Sequence, residues 1–433
     1  MTLRYVLYSI GYILSFIVHA QQPNFVIHNT QSKKMGISIS YIGENDTLLE
    51  NIAHIIAKDM SYSNQFFTKV HALSHAPKQV RDITDLCKQG YQFAIIINHS
   101  SRKRDIEYRV YDTTMGHMIK QASGKYIKQK TKPIGWAHHI AQKIWPVLTG
   151  QPSMFTSKIA YSKEVGFRHG IPITYICIAD YDGSGEQIWV STPTVNIAPR
   201  WGIDPTHIQL FYSEQNPTKT RLMHIDGKKH KRIIQGAHDE SGALHFVIAP
   251  DGKSAAYCAS RGEGSYQIYV CKNGMRKNIS NNDGNNVSIS FSADSKTLYF
   301  TSDYNSNQPK ICAYDLETET IRRITPYGYC TCPSAHPMLN QLLYLKMVNG
   351  IMQLFIYDKT SNTHRQLTYD EGTKDECCWS PCGNYILYQW RLGRQSTIKV
   401  MNSITGEHKA ITPPDVRCSY PAWSNCFLTY PIS

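Results

Sequence analysis

Two periods run through the polar and apolar positions of this chain: a short one of two residues and a long one of about 44 residues. The stretches "FVIAPDGKSAAYCAS" (Phe246 to Ser260), "ISFSADSKTLYFTSD" (Ile289 to Asp303), "PSAHPMLNQLLYLK" (Pro333 to Lys346) and "CCWSPCGNYILYQW" (Cys377 to Trp390) share one template. Each has a short apolar run, a tight turn, and a second run in which apolar residues alternate. Anchored on the turn, equivalent positions are Pro205, Pro250, Ala293, Pro337, Pro381 and Asn425, spaced 43 to 45 residues apart. A second marker keeps the same pace. An Ile-Tyr-Val or Ile-Tyr-Asp type strand follows, then a turn of Gly, Asn, Asp or Ser, then a strand closing on a hydrophobe and a hydroxyl at Ile279-Ser280, Ile324-Thr325, Leu367-Thr368 and Ile411-Thr412.

Each repeat therefore predicts four short strands. Period-2 alternation between turns that tolerate unusual backbone angles is what an antiparallel meander requires. A four-stranded unit of this length cannot bury both faces alone, which makes it a propeller blade. The last anchor, "SYPAWSN" (Ser419 to Asn425), supplies an inner strand only. The three strands it lacks are available before the first full unit, in "SKIAYSKE" (Ser157 to Glu164), "ITYICIADYDG" (Ile173 to Gly183) and "EQIWVST" (Glu186 to Thr192). Pairing these segments in one blade closes the ring and removes an exposed sheet edge. Six blades are predicted.

Residues 21–150 do not share the long period. "DTLLENIAHIIAKDMSYS" (Asp46 to Ser63) has apolar residues at helical spacing behind an Asp able to cap it. "YQFAIIINHS" (Tyr91 to Ser100) and "DIEYRVYDTTMG" (Asp105 to Gly116) read as strands, and "WAHHIAQKIWPVLTG" (Trp136 to Gly150) as a final helix. The expected fold is thus a small α/β N-terminal domain over residues 21–150 followed by an all-β six-bladed β-propeller over 151–433, with Gly150 to Ser153 as the linker. Ahead of both, "MTLRYVLYSIGYILSFIVHAQQ" has an early Arg4 and an apolar run from Tyr5 to Val18 that is short for a bilayer span. It reads as a secretory signal over residues 1–20, cleaved between Ala20 and Gln21, with no cysteine at the cleavage point; an uncleaved membrane anchor is the other reading. The mature chain is expected in solution outside the cytoplasm.

Composition sharpens this modestly. Lys and Arg total 46 against 33 Asp and Glu, a formal net charge of +13, which favours anionic partners. The densest basic runs, "GKKHKR" (Gly227 to Arg232) and "GKYIKQKTKP" (Gly124 to Pro133), do not interleave with a nucleic-acid motif, so they read as solvated hairpin or loop faces. The 12 cysteines have irregular spacing and leave their pairing open. The cluster Cys377, Cys378, Cys382 looks at first like a metal or redox site, but on the repeat it is the start of one blade. Trp379 holds the place of Phe291 and Trp423, and alternation sends Cys377 and Cys378 to opposite faces. A disulfide among Cys330, Cys377 and Cys418, near one mouth of the ring, is an expectation the structure can test.

Enzymatic chemistry has little support in the sequence. No G-x-S-x-G nucleophile elbow is present; "DGSGE" and "GEGSY" fall at predicted hairpin turns. His71 and His75 lack a third ligand at useful spacing, the rings of His138 and His139 diverge on a helix, and neither Cys330/Cys332 nor Cys377/Cys378 forms a C-x-x-C pair. No catalytic residue, metal or cofactor is expected. The alternative is a propeller enzyme of lactonase or glycan lyase type, or a generic ligand-binding propeller.

Signal peptide, small α/β domain and six-bladed propeller, in that order, resemble the TolB family of the Gram-negative Tol-Pal envelope system. "LTGQPSMFTSKIAYS" at the domain junction, the blade signatures "APDGKSAAY", "FTSD" and "YPAWS", and the N-domain segments "YRVYDTTMG" and "LLENIAHIIAKDM" are similar to those of the family. The resemblance implies a monomeric, non-enzymatic periplasmic scaffold supporting outer-membrane integrity and envelope constriction in cell division. It implies two partners. A TolA-like inner-membrane protein would meet the N-terminal segment "QQPNFVIHNTQ" through Phe25, Val26 and Ile27, in the manner of an added strand; an edge strand of the N-terminal domain itself is the other reading of that segment. Pal, the peptidoglycan-associated lipoprotein, would dock at the propeller mouth, on the loops leading into each innermost strand. Those loops hold His238, Asp239, Glu240, Asp283, Asn285, Asn286, Tyr329, Thr331, Lys374, Asp375, Glu376 and Arg417. Mixed charges, amides and an aromatic suit protein recognition.

Overall fold

The computed structural model describes residues 34–100, 105–125, 132–229, 231–233, 242–260 and 264–428. Ala20, Gln21, Phe25, Val26, Ile27, His238, Asp239 and Glu240 lie outside the described residues. Among those described, no helix is long and apolar enough to cross a membrane.

The α/β portion is a five-stranded sheet in the order β2-β1-β3-β4-β5, built from β1 (Met35–Ile42), β2 (Phe66–Leu73), β3 (Tyr91–His99), β4 (Asp105–Asp112) and β5 (His117–Lys125). β1 runs parallel to both β2 and β3, whereas β3, β4 and β5 pair antiparallel. Helix α1 (Thr47–Ser61) begins as its capping residue dictates: the Asp46 carboxylate accepts from the backbone N–H groups of Leu48 and Leu49. α2 spans Val80–Lys88, and α3 spans Pro133–Thr149 with Pro at its start and Gly150 in the left-handed conformation at its end. His71 lies on strand β2 and His75 in the loop beyond it, so the two imidazoles do not share a helical face.

Six four-stranded sheets follow. In the last, the innermost strand Cys418–Trp423 pairs with Lys158–Arg168, and Ile171–Asp180 and Gln187–Val190 complete the blade, so the two ends of the propeller segment share one sheet. The closure is pinned by side chains. Trp423 donates through Nε1 to Ser157 Oγ at 2.8 Å, and Thr156 Oγ1 donates to the Phe427 carbonyl at 3.0 Å. Phe291, Trp379 and Trp423 occupy one register position, opposite Leu298, Ile386 and Ile159 respectively.

Every innermost strand carries the same irregularity. The residues Ala198, His245, Ser288, Cys332, Glu376 and Tyr420 have φ between 43° and 54°, and the pairing register shifts at each of them. Such bulges tighten the local twist and re-aim side chains, at a cost on the order of 1 kcal/mol for each left-handed residue that is not glycine.

The α/β portion and the propeller share one apolar core. Leu49, Ile52, Ile56 and Trp145 belong to the same buried cluster as Tyr161, Tyr181, Tyr385 and Leu387. Residues 153–157, between α3 and the closing blade, are buried. At the centre of the joint lies a polar triad from three elements. Asp59 of α1 meets His138 Nδ1 of α3 at 2.8 Å and accepts from the Tyr181 hydroxyl, next to a blade turn, at 2.7 Å. At the rim of the joint, Lys58 pairs with Asp182 at 2.6 Å.

All twelve cysteines are free. The expected disulfide among Cys330, Cys377 and Cys418 is not formed: Cys330 and Cys418 open the innermost strands of the fourth and sixth blades, with another blade between them, and the Cys377 thiol is turned to the Cys332 carbonyl. Cys377 and Cys378 face opposite sides, with thiols directed at the carbonyls of Cys332 and Pro421 in the two neighbouring blades.

Candidate functional site

Strand direction alternates within a blade, so the loops entering the innermost strands and those joining second to third strands open at one end of the ring. The anchor turns open at the other end. The α/β portion packs at the anchor end: Gln151 meets Asn384 in an anchor turn, and Asn64 meets Glu407 in a turn between third and outermost strands. The opposite end is the mouth at which partner-facing residues were expected.

Structure sorts those residues into three groups. Asp283, Asn285, Tyr329 and Arg417 are exposed around the mouth. Thr331 and Asp375 are half-buried on innermost strands. Asp375 pairs with Arg391 at 2.9 Å, and burial followed by the neighbouring Glu376 pushes its carboxyl up to about 6. Asn286, Lys374 and Glu376 face inward, and this corrects their assignment to a loop surface.

Asn286 is fully buried and donates to the Gly284 carbonyl at 2.7 Å and to Asn282 Oδ1 at 2.9 Å, holding the approach to its blade in shape. Lys374 is likewise buried. Its ammonium donates to the carbonyls of Asp370 and Gly372, both at 2.9 Å, and pairs with the Asp370 carboxylate at 2.8 Å. Burial lowers the Lys374 pKa, and Asp370 opposes that shift. Both side chains hold their loops in place from within, a role that loop composition alone does not reveal.

Glu376 sits on the bulge of its strand and points into the channel. Arg200 of the first blade reaches it at 3.0 Å, and His245 Nε2 lies 3.8 Å away. Burial, reinforced by the Arg200 charge, lowers His245 to about 3, so the imidazole is neutral at physiological pH and the ion pair is that of Arg200 with Glu376. Assigning Glu376 to a loop concealed this pair: the residue lies within an innermost strand, at the left-handed position where the pairing register shifts.

Exposed aromatics are the feature that sequence reasoning missed. Tyr304, Tyr327, Tyr369 and Phe167 are 45%, 79%, 77% and 62% exposed. All lie in or beside loops that open at the mouth, and Tyr329 joins them. They fall outside the repeat template, and a lone tyrosine in a turn carries no periodic signal. With Asp283, Asp375 and Arg417 they bring aromatic and charged groups to the same end of the ring, the composition that protein interfaces favour.

At the anchor end the channel widens into a cavity of about 410 Å³ lined by Arg200, Trp201, Phe291, His336, Trp379 and Trp423 among others. Among the described residues no group of three or more His, Cys, Asp or Glu is placed to hold a metal ion.

Comparison with known proteins agrees with this architecture. The chain is 26% identical over 199 residues to the Tol-Pal system protein TolB of Blochmanniella floridana, covering 44% of this chain and 42% of that protein. It is 24% identical over 239 residues to the Tol-Pal system protein TolB of Nitrosomonas europaea, covering 53% and 54%. These matches thus span about half the length of the curated relatives. The crystal structure of TolB from Acinetobacter baumannii superimposes with a TM-score of 0.74 at 19% identity, over 91% of this chain and 97% of that one, which establishes the shared fold. Residues 145–427 match the family described as the TolB beta propeller domain, and the chain belongs to that family.

Proposed function

We propose that this protein is a non-enzymatic scaffold of the Tol-Pal system, working in the periplasm after removal of residues 1–20. Its mouth binds a Pal-like peptidoglycan-associated lipoprotein, and its N-terminal segment, through Phe25, Val26 and Ile27, binds a TolA-like inner-membrane protein. Through these contacts it supports outer-membrane integrity and constriction in cell division. The observation that carries the mouth assignment is the cluster of exposed tyrosines, Tyr304, Tyr327 and Tyr369, on the end of the ring left uncovered by the α/β portion. The Tol-Pal names of its relatives supply the partner class.

Co-precipitation from envelope extract tests the reading. The mature protein is expected to capture an OmpA-like lipoprotein domain, and reversing Asp375 to Lys is expected to weaken capture. Retention of no such lipoprotein, together with turnover of a lactone or glycan, contradicts it.

A further inference from the structure

The basic surplus of this chain is ordered by the repeat. In five blades a basic residue pairs with one equivalent position of the third strand: Arg232 with His224, Lys277 with Val270, Arg322 with Ala313, Arg365 with Ile356 and Lys409 with Val400. That position is the same in each, because His224, Val270, Ala313, Ile356 and Val400 in turn face Phe211, Ala256, Tyr299, Leu343 and Leu387, each six residues beyond its anchor. The closing blade has Gln187 there. Neighbours reinforce the pattern, with Lys231, Arg276, Arg323 and His408 on the same outermost strands.

Local partners use up only part of this charge. Lys409 lies 3.4 Å from the centre of the Tyr62 ring in the joint with α1. Lys277 pairs with Glu319 at 2.5 Å on the open surface, which is a weak and screened contact. Asp315 and Glu317 lie in the turn beside Glu319. Among the described residues, Arg322 and Arg365 are exposed and make no hydrogen bond or ion pair. Charge on an edge strand guards against edge-to-edge association. Lysine above all serves that role, as does proline, but the role fixes no register, whereas five blades place a cation at one and the same position.

We propose that the outer edges of the first four blades form a basic arc that binds a linear anionic polysaccharide. The arc is convex, so a flat anionic bilayer meets one blade edge at a time while a flexible chain follows several. Single-stranded nucleic acid needs aromatic platforms for its bases, and the exposed tyrosines lie on the mouth, not on these edges. Duplex DNA is too stiff to follow the curve. This inference does not depend on the mouth being a Pal site.

Titration of the full mature chain with heparin fragments of increasing length, in rising NaCl, tests it. Affinity is expected to grow with length until the fragment spans neighbouring blades, and to fall with salt. The triple variant Lys277→Gln, Arg322→Gln, Arg365→Gln is expected to bind long heparin about tenfold more weakly. The control Lys78→Gln, Arg81→Gln, Lys88→Gln, which removes the same formal charge from around α2, is expected to change affinity less than twofold. An equal loss in the control assigns binding to net charge alone and overturns the arc. Preference of the wild type for anionic vesicles or duplex DNA over heparin also overturns it, as does a triple variant that self-associates while keeping its heparin affinity.

Discussion

His138 is buried against Asp59 to a degree that water cannot relieve, with side chains 1% and 0% exposed. Burial alone would pull the His138 pKa down, but the Asp59 charge and hydrogen bond overcome it and raise it above the usual 6.5. Asp59 is raised by burial, with His138 and Tyr181 opposing that shift. A histidine raised on folding contributes stability that is full below its unfolded value and fades as pH climbs through the folded one. A carboxyl raised on folding disfavours the fold wherever it must ionise. Both signs run the same way, so the joint weakens as pH rises above about 6.5. Melting temperatures between pH 5.5 and 8.5 should fall more steeply for the wild type than for His138→Gln. Removing the partner of a buried charge should also lower stability by about 3 kcal/mol near pH 6. Equal slopes would contradict the pairing. Cysteine yields a second check at this scale: unfolded without reductant, the chain should titrate for 12 thiols, and fewer would mean a disulfide.

Among the elements, the innermost strands show where pattern reading works and where it stops. Period 2 places Trp379 beside Phe291 and Trp423, because those positions lie on the regular side of the bulge, and it sends Cys377 and Cys378 apart, as their thiols reach the two neighbouring blades. It fails at Glu376, where one left-handed residue shifts the register and turns a supposed loop carboxylate into the channel partner of Arg200. Helix α2 went unread although Val80, Ile83, Leu86 and Cys87 stand at helical spacing, because at nine residues the stripe is short, and of it only Ile83 is buried. Asn286 and Lys374 were misread for a different reason, since polar composition near a turn does not distinguish a side chain that meets solvent from one that ties its own loop. Gly372 belongs to the same loop as Lys374. It has φ +85°, and a Cβ there would run into the Trp390 indole and come within 3.0 Å of the Arg391 carbonyl. Gly372→Ala is therefore expected to cost about 1–3 kcal/mol and to loosen the mouth beside Asp375. Chemical denaturation with fluorescence detection measures this, and an unchanged midpoint would refute the close packing.

Over the whole molecule, the ring, its closure and the number of blades were legible because repetition multiplies a weak signal: one Pro-Asp-Gly turn says little, but six anchors at one spacing fix the architecture. The union of the α/β portion with the propeller through one core was not legible, since no local period records which distant faces meet. The same holds for the aromatic mouth, which exists only once loops far apart in sequence converge. With the α/β portion seated at the anchor end, the mouth is the open face, and the account rests on its being the partner surface. The most direct test is calorimetric titration of the mature protein with the Pal-like domain from the same organism, comparing wild type with the double variant Tyr327→Ala, Tyr369→Ala and with Ile404→Ala, exposed at the anchor end. Loss of at least about tenfold in affinity for the tyrosine variant, with Ile404→Ala unchanged, is the predicted result. Undiminished binding by the tyrosine variant, or loss confined to Ile404→Ala, would contradict it.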